Sequence, residues 1–269
     1  MPGRTRRETR QSGRDIGSDG RTRRAAMSVP TLPEGSVLRA ARSVRRVSLE
    51  VLAPPGRLLI IAPHPDDETL GCGMALAAAV AEGREVAILL LTDGEGSHPN
   101  SRKFDTARRV AVRAAEFDNA LTALAPDKSI PVVRAHLPDG KTTDESAPQV
   151  VDRLLDHPCV ANATSIWSTW LGDPHCDHRT AGIVARMLSD LTGAALWSFA
   201  VWGRFGERPV PDRLSLFFDS RFHRAKCDAM DAYASQMTDL IDDDSAGFTM
   251  PPALFEHFAS HPEVFLHER

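Results

Sequence analysis

The sequence carries a strongly polar segment, Pro63-His64-Pro65-Asp66-Asp67-Glu68, directly after a short apolar run. Three acids beside a histidine repel one another unless a positive group lies among them. Zinc is such a group, because it binds histidine nitrogen and carboxylate oxygen. His64 and Asp67 are three residues apart, which makes them neighbours in a helical turn. Asp66 is then expected beside the metal, where a base that activates water belongs.

A second cluster, His175-Cys176-Asp177-His178, has two histidines at the same spacing. Together the clusters supply three potential metal ligands, a carboxylate base and a further histidine. Three protein ligands and one open position are typical of catalytic zinc. The alternative for the first cluster is an acidic helix start that complements the helix dipole. The alternative for the second is a pair of unrelated loop histidines, with Asp177 as an N-cap.

Alternating strands and helices are predicted to position both clusters. The predicted strands are Arg57–Ala62, Glu85–Leu91, Val132–Leu137, Ser165–Trp170, Leu196–Val201 and Leu214–Phe218. The predicted helices are Leu70–Glu82, Asp105–Ala125, Asp177–Leu191 and His223–Leu240. This order predicts an α/β protein, a Rossmann-like three-layer fold with a mostly parallel sheet. Ligands of such sheets bind beyond the carboxyl ends of the strands, so both clusters are expected to face one cleft.

The two clusters also carry a family resemblance. The segment APHPDDETLGCG at 62–73, with HCDH at 175–178, closely resembles the PIG-L/LmbE-like N-acetylglucosaminyl deacetylases. The resemblance spans roughly residues 57–266. Weaker family motifs are matched by Thr92–Glu95, Arg113 with Glu116, Leu137–Gly140, Lys226 with Ser235 and Gln236, and Glu263–Phe265.

The resemblance implies a zinc ion bound by His64, Asp67 and His178, with Asp66 as general base. It implies that His175 acts as an acid or stabilises the oxyanion, and that Asp177 orients or tunes a histidine. The implied substrate is a small-molecule N-acetyl sugar or glycoconjugate, from which the acetyl group is removed.

The chain departs from the family pattern at two places. Cys176 replaces a frequent proline, and we expect it not to bind zinc because of its place between the two histidines. No tyrosine stands just before the second cluster, where some members that make thiols have one.

Other polar residues are weaker candidates. Arg102 and Asp139 follow strand ends and could bind sugar hydroxyls, the alternatives being a surface arginine and a turn aspartate. The acidic run Asp242-Asp243-Asp244 is expected to be a solvated loop. Most of the four tryptophans are expected to pack in the core rather than stack on a sugar.

Composition excludes several classes of protein. The net charge of −4 gives no reason to expect a nucleic-acid partner. No apolar run reaches the roughly 18 residues that a membrane-spanning helix needs. The four cysteines are scattered and form no CxxC pair, which favours the cytoplasm.

The N-terminal region has a different composition from the rest. We expect residues 1–50 to be a disordered arginine-rich extension and lead-in, and 51–269 to form the deacetylase domain. Met27 is a possible start of the protein, and the residues before it are expected to be dispensable.

Three other functions stay open at this point. One is hydrolysis of another N-acyl amide, on a glycolipid or an antibiotic-like metabolite. Another is a non-catalytic Rossmann-like binding module, although the glycines at 71 and 73 are followed by Leu76 where a dinucleotide site needs glycine or alanine. A third is a zinc-binding scaffold without catalysis, which would have no need of a base such as Asp66.

Overall fold

The computed structural model describes residues 34–267, and seven strands within them form a single sheet. The strands are β1 Arg57–Ala62, β2 Glu85–Thr92, β3 Val132–Leu137, β4 Ser165–Thr169, β5 Ala195–Phe199, β6 Arg213–Phe217 and β7 Glu263–His267. Their order in the sheet is β3-β2-β1-β4-β5-β7-β6. Strands β1 to β5 pair in parallel, and β7 is antiparallel to both its neighbours. The expected mostly parallel sheet is confirmed.

Helices cover both faces of this sheet. They are α1 Ser36–Ala41, α2 Leu49–Leu52, α3 Asp67–Ala81, α4 Thr106–Leu124, α5 Ser146–Leu154, α6 Pro158–Ala161, α7 Cys176–Thr192, α8 Ser220–Asp231, α9 Ala234–Met237 and α10 Pro252–Ser260. One core cluster packs α3, α4 and α8 on the sheet, and another packs α5 and α7 on the opposite face. The three-layer α/β fold is therefore confirmed.

The first strand shows why its sequence is a continuous apolar run. Leu58 and Ile60 belong to one core cluster, whereas Leu59 and Ile61 belong to the cluster on the other face. A parallel strand covered by helices on both sides buries every side chain, so it lacks the polar and apolar alternation of a half-exposed strand.

The order of the strands places both polar clusters at one point. From β1 the chain continues through β2 to β3 on one side, and then crosses to β4 on the other side of β1. The carboxyl ends of β1 and β4 therefore flank the position where the strand order reverses, which is where such sheets bind ligands.

The C-terminal third differs from the prediction. The single helix predicted at His223–Leu240 is wrong: α8 ends at Asp231, and the short α9 follows. The break falls at Tyr233, whose φ of −84° and ψ of 57° are not helical. Its hydroxyl donates to Glu68, so a buried long-range contact overrides the helical pattern. The sequence pattern also did not predict α5, α10 or β7.

The lead-in to the first strand packs against the far edge of the sheet. Val37 is fully buried beside Val264, and Arg46 forms a backbone bridge with Leu216. Residues 1–33, which include Met27, lie outside the described residues, and the domain division at residue 50 stays a prediction. None of the helices within 34–267 is both long and apolar enough to span a membrane.

A kink divides α3 inside the protein. Cys72 has φ −144° and ψ 23°, and the helix starts again after it. The fully buried carboxylate of Glu263 accepts from Met74 N at 2.7 Å and from Ala75 N at 2.9 Å. Lys226 Nζ donates to Glu263 at 2.7 Å and to Leu70 O at 3.0 Å. This pair therefore joins the two parts of α3 and fixes its first turn.

We predict that Glu263→Gln lowers the free energy of unfolding by about 3–5 kcal/mol, because it leaves the buried Lys226 charge without a negative partner. Chemical denaturation measures the change. The matched control is Glu256→Gln, an exposed residue of α10, which should change stability by less than about 0.5 kcal/mol. Equal effects of the two substitutions would contradict a stabilising role for the pair.

Candidate active site

The segment after β1 turns sharply into α3. Asp66, the N-cap of this helix, has φ 148°, a conformation that residues other than glycine rarely adopt. Asp67 and Glu68 form the first helical turn and are buried. The turn therefore points three carboxylates in different directions within one short segment.

His64 lies between two carboxylate groups. Its Nδ1 is 2.9 Å from Asp67 Oδ2, and the same oxygen accepts the backbone N–H of His64 at 3.1 Å. Its Nε2 is 2.9 Å from Asp177 Oδ2 and 3.1 Å from Asp139 Oδ1. One ring nitrogen thus faces the carboxylate of its own turn, and the other faces the carboxylates of Asp139, after β3, and Asp177, in the first turn of α7.

Asp177 is fixed from several sides and is fully buried. Its oxygens accept the backbone N–H of Gly140 at 2.8 Å and the hydroxyl of Thr142 at 2.6 Å. It lies 2.9 Å from His64 but 3.9 Å from His175 Nδ1. The histidine that Asp177 orients is therefore His64, across the cleft, and not its own neighbour in sequence.

His178 is fully buried and has one fixed nitrogen. Its Nδ1 lies 2.9 Å from Asp173 Oδ2, which places the proton on Nδ1. Its Nε2 has no hydrogen-bond partner among the described residues and lies 3.3 Å from Asp67 Oδ2. A buried ring nitrogen without a hydrogen bond is costly unless it binds something, and a carboxylate bonded to the other nitrogen is the usual support of a metal-binding histidine.

Asp67 Oδ2 therefore lies close to a nitrogen of each histidine, at 2.9 Å from His64 Nδ1 and 3.3 Å from His178 Nε2. Two imidazoles and a carboxylate are a ligand set that catalytic zinc sites use. His175 also approaches them, since its ring offers a nitrogen within 4.8 Å of those of His64 and His178. The geometry brings the expected ligands together and fits a metal ion, while the exact ligand set stays a prediction.

The cluster carries an excess of negative charge. The carboxylates that contact the two histidines belong to Asp67, Asp139, Asp173 and Asp177. Burial opposes protonation, yet these carboxylates raise the pKa of His178 to about 9 and that of His64 well above its usual range. The second proton of His178 is therefore on Nε2, and a metal ion bound to this nitrogen would displace the proton and balance the charge of the carboxylates.

Asp66 lies beside this cluster and does not contact either histidine. Arg113 Nη2 donates to its Oδ2 at 3.1 Å, and both side chains are buried. Burial raises the pKa of Asp66 to about 6, although Arg113 lowers it. A carboxyl group that titrates near neutral pH is suited to accept and return a proton.

Glu68 and Tyr233 were not predicted as functional residues. Glu68 Oε2 accepts the backbone N–H of Asp66 at 3.2 Å, and Oε1 accepts the hydroxyl of Tyr233 at 2.7 Å. Tyr233 is the only tyrosine of the chain and is fully buried. These two residues hold the strained turn that carries Asp66. The only sequence signal for Tyr233 was its rarity, because its partner is 165 residues away.

His175 caps the start of α7. Its Nδ1 accepts the backbone N–H of Asp177 at 3.3 Å, so the ring proton is on Nε2. Burial, together with His64 and His178, lowers the pKa of His175 below its usual value. A neutral His175 can donate a hydrogen bond from Nε2, but it is a poor store for the proton that an acid must give.

The remaining predicted residues have different positions. Asp139 lines the cleft, and its Oδ2 accepts the backbone N–H of Gly96 at 2.7 Å. Arg102 is exposed and is not among the residues that line the cleft, so its role in substrate binding stays a prediction. Cys176 is exposed, with Sγ 3.3 Å from Asp177 Oδ1.

Part of this network lines a cleft of about 570 Å³. Its inner end is formed by the charged and titratable side chains of His64, Asp66, Asp67, Arg113, Asp139 and His175. Its volume lies within the usual range for pockets that bind small molecules.

Known proteins resemble the part of the chain that carries the two polar clusters. Residues 59–188, which run from β1 into α7 and include both polar clusters, match the profile described as PIG-L, GlcNAc-PI de-N-acetylase. This match covers just under half of the chain and confirms the resemblance to the PIG-L/LmbE-like deacetylases that the two clusters carry. A curated relative from Tsukamurella paurometabola, named 1D-myo-inositol 2-acetamido-2-deoxy-alpha-D-glucopyranoside deacetylase, is 32% identical over 108 residues, which are 38% of this chain and 36% of the relative. Across three such relatives, the matched segments cover only 15% to 36% of their length.

Solved structures agree on the fold. The N,N'-diacetylchitobiose deacetylase of Pyrococcus horikoshii superposes with a TM-score of 0.57 at 18% identity, over 81% of this chain and 87% of that one. The zinc-inhibited form of a teicoplanin deacetylase gives 0.56 at 18% identity, over 78% and 96%. The 4-carboxy-2-hydroxymuconate hydratase of Pseudomonas putida gives 0.55 at 17% identity, over 76% and 82%. The fold therefore supports more than one reaction, and the site must decide the function.

We predict that His178→Ala abolishes stoichiometric zinc binding, because only two of the three expected donors remain. His175→Ala should retain zinc, and so should the neighbouring control Cys176→Ala. Metal content after loading with zinc and desalting, measured by mass spectrometry, checks all three. Loss of zinc in His175→Ala with retention in His178→Ala would reverse the roles assigned to these histidines.

We predict that Arg113→Met moves the acidic limb of the pH profile of kcat/KM upward by about one pH unit. Arg113 lowers the pKa of Asp66, so its removal raises that pKa above about 6, and a base works only when deprotonated. Arg113→Lys should restore part of the shift. Arg108→Met, an exposed arginine of the same helix, is the control and should leave the limb in place. An unmoved limb in Arg113→Met would show that Asp66 does not set it.

Proposed function

We propose that this protein is a zinc-dependent hydrolase that removes the acetyl group from an N-acetylated amino sugar or its conjugate. The observation that carries the proposal is the buried Nε2 of His178, which makes no hydrogen bond and lies, like His64 Nδ1, close to Asp67 Oδ2, with Asp66 beside them. A carboxylate next to a metal site, but outside the ligand set, is what a hydrolase needs and a structural zinc site does not.

His64, Asp67 and His178 would hold the metal. A zinc ion bound there would supply Lewis acidity toward the acetyl carbonyl and make water a stronger acid. Two further aspartates bond the ring nitrogens that point away from Asp67. Asp177 bonds His64 Nε2, and Asp173 bonds His178 Nδ1. Such supporting carboxylates fix the orientation of ligating rings.

Asp66 is the proposed general base. It accepts a proton from the attacking water as the new bond to the acetyl carbon forms. It then returns this proton to the nitrogen as the C–N bond breaks, which leaves acetate and a free amine. Burial raises the pKa of Asp66 above its usual value, which favours its uptake of a proton from water.

His175 is proposed to stabilise the acetyl oxygen as it gains negative charge. Its Nε2 carries the proton, because Nδ1 accepts from Asp177 N. A fixed neutral donor next to developing charge stabilises the transition state without a proton transfer. We therefore favour the oxyanion role for His175 over the acid role, which passes to Asp66.

Other proposals follow the same site. The alternative substrate is a different N-acyl amide, on a glycolipid or an antibiotic-like metabolite. A non-catalytic binding module is less well supported, since it gives no reason for the strained Asp66 beside the donor cluster. The cytoplasmic location inferred from the cysteines stays a prediction.

Acetate release tests the proposal. Protein stripped with a chelator should release no acetate from N-acetylglucosamine or its methyl glycoside, and one equivalent of zinc should restore release. Asp66→Asn should keep zinc and lose about 100-fold or more in turnover. Asp118→Asn, an exposed residue of α4, is the control and should keep full activity. Zinc-loaded protein that releases no acetate from any N-acetyl sugar would refute the function, and full turnover in Asp66→Asn would favour a scaffold.

A further inference from the structure

The outer part of the cleft differs chemically from its inner end. Its wall includes the rings of Trp202, Phe248 and Pro99 together with Pro174 and Ala246. Every charged or titratable side chain that lines the cleft, within the described residues, belongs to the inner end around the histidines. The outer part therefore offers apolar surface and neutral polar groups to whatever lies beyond the reacting amide.

Trp202 and Phe248 form a corner of this wall. Their ring centroids are 5.7 Å apart with an interplanar angle of 73°, and both side chains are partly exposed. Behind them, Trp202 packs edge-on against the fully buried Phe258 at 6.1 Å. Edge-to-face contacts of this kind give aromatic pairs a defined geometry, so the corner is a fixed surface.

The backbone of Trp202 is held by the carboxylate that supports His178. Asp173 accepts the backbone N–H groups of Val201, Trp202 and Gly203 at 3.1, 3.2 and 2.6 Å. The same Asp173 Oδ2 lies 2.9 Å from His178 Nδ1. The corner therefore has a set distance from the inner end of the cleft.

Phe248 is fixed to the loop that follows β2. Its backbone N–H donates to Ser97 O at 2.8 Å. The acidic run just before it bonds the same loop: Asp244 accepts from Asn100 N at 2.7 Å, and Asp243 accepts from Ser101 Oγ at 2.6 Å. The expectation that this run is only a solvated loop is therefore wrong, because it ties the segment that carries Phe248 to the rim of the cleft.

We propose that the Trp202–Phe248 corner is a subsite for an uncharged, apolar group attached to the amino sugar, and that it selects such conjugates over phosphate-linked ones. This inference rests on the proposed deacetylase function. An apolar group placed there buries surface against two rings. A phosphate placed there would lose water and gain no cation, because Arg113 is paired with Asp66 and Arg102 does not line the cleft.

Acetate release from three probes tests the subsite: the phenyl glycoside of N-acetylglucosamine, its methyl glycoside and N-acetylglucosamine 1-phosphate. Wild-type protein should prefer the phenyl over the methyl glycoside by roughly tenfold in kcat/KM, a usual value for added apolar contact. The 1-phosphate should be the poorest of the three. Trp202→Ala and, separately, Phe248→Ala should reduce the phenyl-to-methyl ratio at least threefold, chiefly through KM for the phenyl glycoside.

The ratio is measured within each variant, so it does not depend on the fraction of folded enzyme. Trp202→Leu gives a second, less disruptive variant in case alanine prevents folding, and it should also lower the ratio. Trp197→Phe is the control, because Trp197 contacts His267 and does not line the cleft. Its ratio should equal that of the wild type.

The outcomes separate the two proposals. No acetate from any probe would contradict the deacetylase function. Acetate release with an unchanged ratio in the Trp202 and Phe248 variants would overturn the subsite alone. Preference for the 1-phosphate would also overturn it, and loss of that preference in Arg102→Ala would assign phosphate binding to the exposed arginine instead.

Discussion

Negative charge crowded into a largely buried cleft is the constraint on which the rest of this structure depends. Four aspartates contact His64 and His178, and Asp66 adds a fifth carboxylate beside them. Repulsion between such groups is strong where water is scarce. Backbone N–H groups, the histidines and Arg113 offset part of it, yet His178 Nε2 is still without a hydrogen-bond partner. A divalent cation would satisfy this nitrogen and balance the charge together.

The same constraint explains the polar network behind the site. A strained turn at Asp66, which costs of the order of 1–3 kcal/mol, persists only where its surroundings determine it. Glu68 holds the backbone of that turn, and Tyr233 holds Glu68. Deeper still, Lys226 and Glu263 fix the kinked helix that follows. Glu68 and Tyr233 satisfy each other, and so do Lys226 and Glu263, so the turn and the helix after it are held by two separate contacts from the C-terminal third of the chain.

Sequence patterns predicted the sheet and the meeting of the two clusters for a clear reason. Continuous apolar runs such as Arg57–Ala62 indicate strands buried on both faces, and the carboxyl ends of parallel strands share one edge. The supporting residues could not be predicted in the same way. Asp173 and Tyr233 act through partners brought close only by the fold, and the break in the helix predicted at His223–Leu240 comes from one such contact. A local pattern carries no information about a hydrogen bond across 165 residues.

The carboxylate of Asp173 links the two ends of the cleft, and it does so through a side chain at one end and through the backbone at the other. Asp173 bonds the side chain of His178 but only the backbone of Val201, Trp202 and Gly203. Any residue other than proline offers a backbone N–H, so the side chain at position 202 can change without loss of these bonds. A substitution there alters the apolar wall, while the orientation of His178 stays fixed. The fold thus separates the part proposed to bind the metal from the part proposed to contact the remainder of the substrate, although one residue positions both.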